Sequence, residues 1–164
     1  MAAKDDGLFW VAIVGSRTVG VCSCDAQEKH WPPTPEEKAH QEVCLKVRHW
    51  LLMMHIIARL GQLHGDKLAV VSGGAPGADT LAMDAAKMQG LPASHLKVIP
   101  VPPGNSPFRE RAHGRNSKIV DKAGSMIAVF GPGPRSGGTQ DSVTKALAKG
   151  IPVHVWHEGQ WSTS

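Results

Sequence analysis

The chain has 164 residues, with 18 Lys and Arg against 14 Asp and Glu, 18 Gly, 12 Pro and 3 Cys. That length suffices to bury one core without staples, and a 41% hydrophobic, 20% charged composition excludes a disordered chain. Three cysteines cannot all pair, Met1 to Asp6 has no apolar leader, and His55 and Arg59 interrupt the apolar stretch Trp50–Leu60, so a cytoplasmic protein with no membrane span is expected.

In chain order, the apolar run Phe9–Val14 reads as a buried strand. Residues 20–35 form an irregular insertion ending in Trp31-Pro-Pro-Thr-Pro35. Thr34, Pro35, Glu36 and Glu37 then make a helix start: a hydroxyl cap, Pro in the first position, acids in the first turn. A helix is predicted over Glu36–Leu63, and beyond Trp50 it is apolar nearly all round. Such a helix is buried on every side or packs on another subunit, and a homo-oligomer through it is expected. There follow a strand at Leu68–Val71, a helix at Ala78–Gln89, a strand at Leu96–Val101, a helix at Phe108–Ala123, a strand at Ser125–Phe130, a helix at Gly138–Lys149 and a strand at Ile151–Trp156. This alternation predicts one domain over residues 1–164. It is a three-layer α/β fold, with about five mostly parallel strands and helices on both faces.

Three glycine-bearing loops fall at the C-terminal ends of predicted strands, where open parallel sheets bind ligands. They are Gly15-Ser16-Arg17-Thr18, Ser72-Gly73-Gly74-Ala75-Pro76-Gly77-Ala78-Asp79, and Gly131-Pro-Gly133-Pro-Arg135-Ser136-Gly137-Gly138-Thr139. Glycine lets backbone N–H groups approach an anion, which the following helix N-terminus favours. No G-x-x-x-x-G-K-[ST] loop is present, and Gly15-Ser-Arg-Thr-Val-Gly20 has Arg17 where a dinucleotide fingerprint has its second glycine. A P-loop NTPase and a hydride-transferring dehydrogenase are therefore disfavoured, and no cofactor is required.

Taken together, Gly15-Ser-Arg17, the Ser72–Asp79 loop, Arg115-Asn116 and the stretch Gly131–Asp141 resemble the SLOG superfamily. The chain is most similar to its small YspA/YpsA-type members, and more distantly to Lonely Guy nucleotide hydrolases and the Rossmann core of DNA-processing protein A. The resemblance implies a Rossmann-like sheet whose loops bind a nucleotide or nucleotide-derived ligand, as a sensor or binding module. It also places Arg115 and Asn116 near the pocket. In Lonely Guy enzymes a glutamate after the phosphate loop serves N-glycosidic hydrolysis. Here that position is Ser142, leaving Asp79 and Asp141 as the catalytic candidates. Asp79 also suits a first-turn, dipole-favoured capping role.

Residues 1–64 hold seven basic and seven acidic groups, so the +4 net charge lies wholly in residues 65–164. Arg17 and Arg135 in their loops carry forks suited to phosphate. Arg111, Arg115, Lys118 and Lys122 recur as one helical stripe, in which Arg115 is the ligand candidate and the two lysines are solvated. Phe108, Ala112, Ile119 and Ala123 form the stripe expected to meet the sheet. Ser72 and Thr139 can either bind phosphate or cap helices. Cys22, Cys24, His30, His40 and Cys44 lack compact ligand spacing, and no metal site is expected.

The leading expectation is a small phosphorylated ligand bound over Gly15, Ser16, Arg17, Ser72, Gly73, Gly74, Gly77, Asp79, Arg115, Asn116, Gly133, Arg135, Ser136, Gly137, Gly138 and Thr139. The first alternative is a nucleoside 5′-monophosphate N-glycosidase. The second is a single-stranded DNA-binding protein; a sequence pI near 9.1 supports it, and 5% aromatics with no Tyr count against it.

Overall fold

The computed structural model describes residues 7–20, 34–37, 39, 44–135 and 137–164. Strand β1 (Phe9–Gly15) is buried through its middle, with Trp10, Ala12 and Val14 in one core cluster and Val11 and Ile13 in another. A strand covered on both faces has no polar side to alternate with, hence its unbroken apolar run. The same holds for β2 (Leu68–Ser72) and β4 (Ser125–Val129), beside which run β3 (Leu96–Val98) and β5 (Val153–His157). With β6 (Gln160–Thr163) they form a six-stranded sheet ordered β3-β2-β1-β4-β5-β6, parallel throughout except for the β5–β6 pair.

Helices α1 (Leu45–His64) and α2 (Ala78–Met88) cover one face, where Met53, Ile57 and Ala82 meet Val11 and Ile13. Helices α3 (Phe108–Lys122) and α4 (Gly137–Ala148) cover the other, where Ile119 and Val143 meet Ala12 and Val14. Each fully buried Val or Ile contributes about 1.5–3 kcal/mol. The two cores therefore fix the frame on which the loops are mounted.

Three departures from the sequence reading have physical causes. The helix expected over Glu36–Leu63 is not continuous: residues 35–37 are helical, but Cys44 is buried and extended (φ −60°, ψ 123°), and α1 starts after it. The helix start itself is as expected, since Thr34 N–H donates to Glu37 Oε2 (2.7 Å) and Glu37 N–H to Thr34 Oγ1 (3.2 Å), a reciprocal capping box. Strand β3 stops at Val98. Ile99 N–H still donates to Ser72 O (2.9 Å), but Pro100, Pro102 and Pro103 have no N–H with which to continue the ladder. Strand β6 was unexpected. Glu158 (φ 50°) and Gly159 (φ 79°) make a two-residue turn of positive φ between His157 and Gln160, the geometry that closes a hairpin.

Cys22, Cys24, His30 and His40, weighed above and not expected to bind a metal, lie outside the described residues, as does most of the 20–35 insertion. No described helix is long and apolar enough to cross a membrane.

Candidate functional site

Strand β1 hydrogen-bonds to β2 on one side and β4 on the other, so chain direction around the sheet reverses there and a crevice opens beyond the strand ends. A cleft of about 970 Å³ fills that position. Its base includes Val14, Gly15 and Ile119; its walls are Ser16–Thr18, the α3 residues Phe108, Arg109, Ala112, His113, Arg115 and Asn116, and the first turn of α4 with Gly137–Thr139. Glycine is required at position 15, because a Cβ there would collide with Ala78 Cβ and Val129 O. That close approach lets Ala78 N–H reach Ser16 O (3.3 Å) and seats the start of α2 against β1.

Asp79, buried in the first turn of α2, organises the loop after β2. Its Oδ1 accepts from Gly15 N–H (3.2 Å), and its Oδ2 accepts from Gly73 N–H (2.9 Å) and Ala75 N–H (3.4 Å). Ser72 Oγ, fully buried, accepts from Gly74 N–H (3.3 Å). The amides that glycines 15, 73 and 74 were expected to offer a ligand thus already have partners inside the protein. Burial pushes the Asp79 carboxyl up to about 6, against the opposing pull of these amides and of Arg115.

Arg115 reaches over the same loop. Its Nη1 donates to Gly73 O (2.7 Å) and Ile99 O (3.3 Å), and its Nε donates to Asn116 Oδ1 (3.0 Å). Burial lowers its pKa, with Asp79 opposing and the nearby Arg17 charge adding to the fall. Asn116, also buried, donates through Nδ2 to Gly138 O (3.2 Å) and Asp141 Oδ2 (2.9 Å), joining α3 to α4. Asp141 Oδ2 accepts in addition from Lys145 Nζ (2.8 Å), while His113 Nδ1 stands 3.7 Å from Oδ1. Burial raises the Asp141 pKa, but the Lys145 and Asn116 hydrogen bonds with the Lys145 and His113 charges outweigh it and hold the carboxyl below its ordinary range.

Arg17 differs from these. Its side chain is exposed on the cleft wall, near enough to Arg115 for the two charges to interact, and has no hydrogen bond or ion pair among the described residues. Arg109 on α3 is likewise exposed on the wall and unpaired among the described residues.

Of the other expected ligand residues, Gly15, Ser16, Asp79, Arg115, Asn116, Gly137, Gly138 and Thr139 line the cleft, as does Asp141. Ser72, Gly73, Gly74 and Gly77 lie behind it, and Ser136 lies outside the described residues. Arg135 turns away, a correction with a clear cause: its guanidinium lies 5.3 Å over the Phe130 ring and donates to Ser162 Oγ (3.4 Å) on the unforeseen β6. Gly133 goes with it, its carbonyl accepting from His157 Nε2 (2.6 Å). Phe108, expected to meet the sheet, is 54% exposed at the cleft instead. Arg109, His113 and Phe108 were missed as wall residues. Helical spacing from Arg115 and Asn116 back by three and seven positions would have found all three.

No protein-family model matches the chain, and no curated protein matches it. Solved structures do. DNA processing protein A from Helicobacter pylori, described with its single-stranded DNA binding mode, is 16% identical over 90% of this chain and 64% of that one, with a TM-score of 0.54. DNA processing protein A from Streptococcus pneumoniae is 18% identical over 90% of this chain and 50% of that one, with a TM-score of 0.58. The fold is Rossmann-like. This chain spans less than two thirds of the length of either neighbour. The likeness to DNA processing protein A, expected from the glycine loops, is thus found at the level of fold.

Proposed function

We propose that the cleft binds the phosphate of a nucleotide unit, and that single-stranded nucleic acid presents it. The observation that carries this reading is Arg17. It is a guanidinium without a partner among the described residues, on the wall of a cleft at the sheet's switch point. The first turn of α4 also lines that cleft, and its leading N–H groups have no partner within the helix. The described single-stranded DNA binding of one structural neighbour supports nucleic acid as the source.

A second reading, a free mononucleotide, draws on the cleft itself: about 970 Å³ lies in the range of small-molecule sites. Hydrolysis of an N-glycosidic bond has less support, because both oxygens of Asp79 and one of Asp141 are engaged by protein donors. The exposed Leu51 and Val47 on α1 favour self-association, to be read by light scattering.

Fluorescence anisotropy with a labelled single-stranded oligonucleotide, alongside calorimetry with AMP, separates the readings. Oligonucleotide binding that Arg17→Ala weakens about 10-fold or more supports the first. AMP binding without oligonucleotide binding transfers support to the second, and neither ligand binding defeats both.

A further inference from the structure

We propose that Phe108 is the stacking platform for the base of the bound nucleotide. The inference rests on the phosphate-binding reading of the cleft. Large apolar side chains exposed on this protein include Leu51, Leu63, Met88 and Trp161, yet among those described only Phe108 lines the cleft. It is also the one exposed phenylalanine of three, Phe9 being partly buried and Phe130 buried.

An aromatic ring in water at the rim of a polar cleft needs a reason, because α3 has neighbouring turns on which the ring could have been buried. Its backing supplies one. Arg111 lies over the ring, 5.8 Å from its centroid, within cation–π range. That guanidinium is itself fixed, donating through Nε to Ser106 O (2.9 Å) and through Nη1 to Pro102 O (2.7 Å). Arg111 does not line the cleft, and the platform requires its guanidinium to cover the ring face turned away from the cleft. A base laid on the remaining face completes a guanidinium–ring–base stack, and stacking on a pre-oriented ring loses little side-chain freedom. Every base has a π face, so this contact recognises a nucleobase without selecting its sequence.

The test compares wild type, Phe108→Leu, Phe108→Ala and Phe108→Trp, with three probes: the labelled oligonucleotide, an abasic oligomer of equal length, and AMP. Because the ring is exposed, the variants should melt within a few degrees of wild type. Phe108→Leu and Phe108→Ala should weaken the base-bearing ligand by about 5-fold to 150-fold. They should leave the abasic oligomer unchanged. Phe108→Trp should retain binding, and its indole fluorescence should be quenched on titration. Undiminished affinity in Phe108→Leu, with Arg17→Ala still impaired, overturns the platform and leaves the phosphate site standing. Loss of binding to abasic and base-bearing ligands alike also overturns it, since the ring would then serve the cleft's shape. Failure of every ligand to bind wild type defeats the phosphate reading and this inference together.

Discussion

The loop after β2 and the turns around the cleft draw on the same residues, glycine, serine and small apolar side chains, but they are used in opposite ways. Between Ser72 and Asp79 the amides are turned inward onto a carboxylate of the same loop, and Arg115 closes the carbonyl side. At the cleft, Arg17 and the first turn of α4 line the wall, and the Arg17 guanidinium has no partner among the described residues. A glycine-rich turn at a strand end therefore cannot offer an anion those amides that an internal carboxylate has already taken. Asp79 decides the matter for one loop and, through Gly15, ties it to the next.

The strongest way to break the closed loop is Gly73→Ala. A Cβ there would overlap the Arg115 guanidinium and lie 2.8 Å from Asp79 Oδ2, so both clamps must shift. Chemical denaturation should show a loss of about 2–4 kcal/mol. Asp79→Asn is next. It leaves one acceptor oxygen for three amides, and about 1–3 kcal/mol should disappear.

The same variant carries a pH test. Folded Asp79 holds its proton to about 6, against 3.8 as the ordinary value. The folded state thus binds more protons than the unfolded one between those values, and this group's stabilising contribution falls as pH rises through the window and is level above it. Asp79→Asn should remove that part of the slope between pH 4 and pH 6, measured by melting across the range. An unchanged slope would show that Asp79 titrates normally.

The open side predicts the reverse pattern. Arg17→Ala should shift stability by no more than about 0.5 kcal/mol while costing ligand affinity. Smallest of all is Gly138→Ala: the added Cβ meets only Asn116 Nδ2, at 3.7 Å, and φ is not positive, so the melting curve should barely move. A large loss there would mean that the first turn of α4 is as closed as the loop after β2.

Much of the frame was legible in the chain. Doubly covered strands leave unbroken apolar runs, so β1, β2 and β4 could be read within a residue or so, and the strand–helix alternation implied the parallel sheet. Hydrogen-bond commitments were not legible. Nothing local to Gly73 reveals that its amide goes to a side chain six residues on, or its carbonyl to Arg115 on another helix. Arg135 was misread because its destination, β6, depends on a Glu-Gly turn that lacks the familiar Asn-Gly signal.

The pairing of Arg115 with backbone carbonyls has a consequence for how any polyanion would be held. Among the described residues, Arg17 and Arg109 are the only arginines lining the cleft whose guanidinium has no partner there. In counterion terms, two such contacts on a single strand release few condensed ions. The logarithm of affinity should therefore fall with the logarithm of salt with a slope of only about −1.4. A protein that grips along many phosphates behaves otherwise, so a steep salt dependence would break the proposed reading of the cleft as a site for a single nucleotide unit.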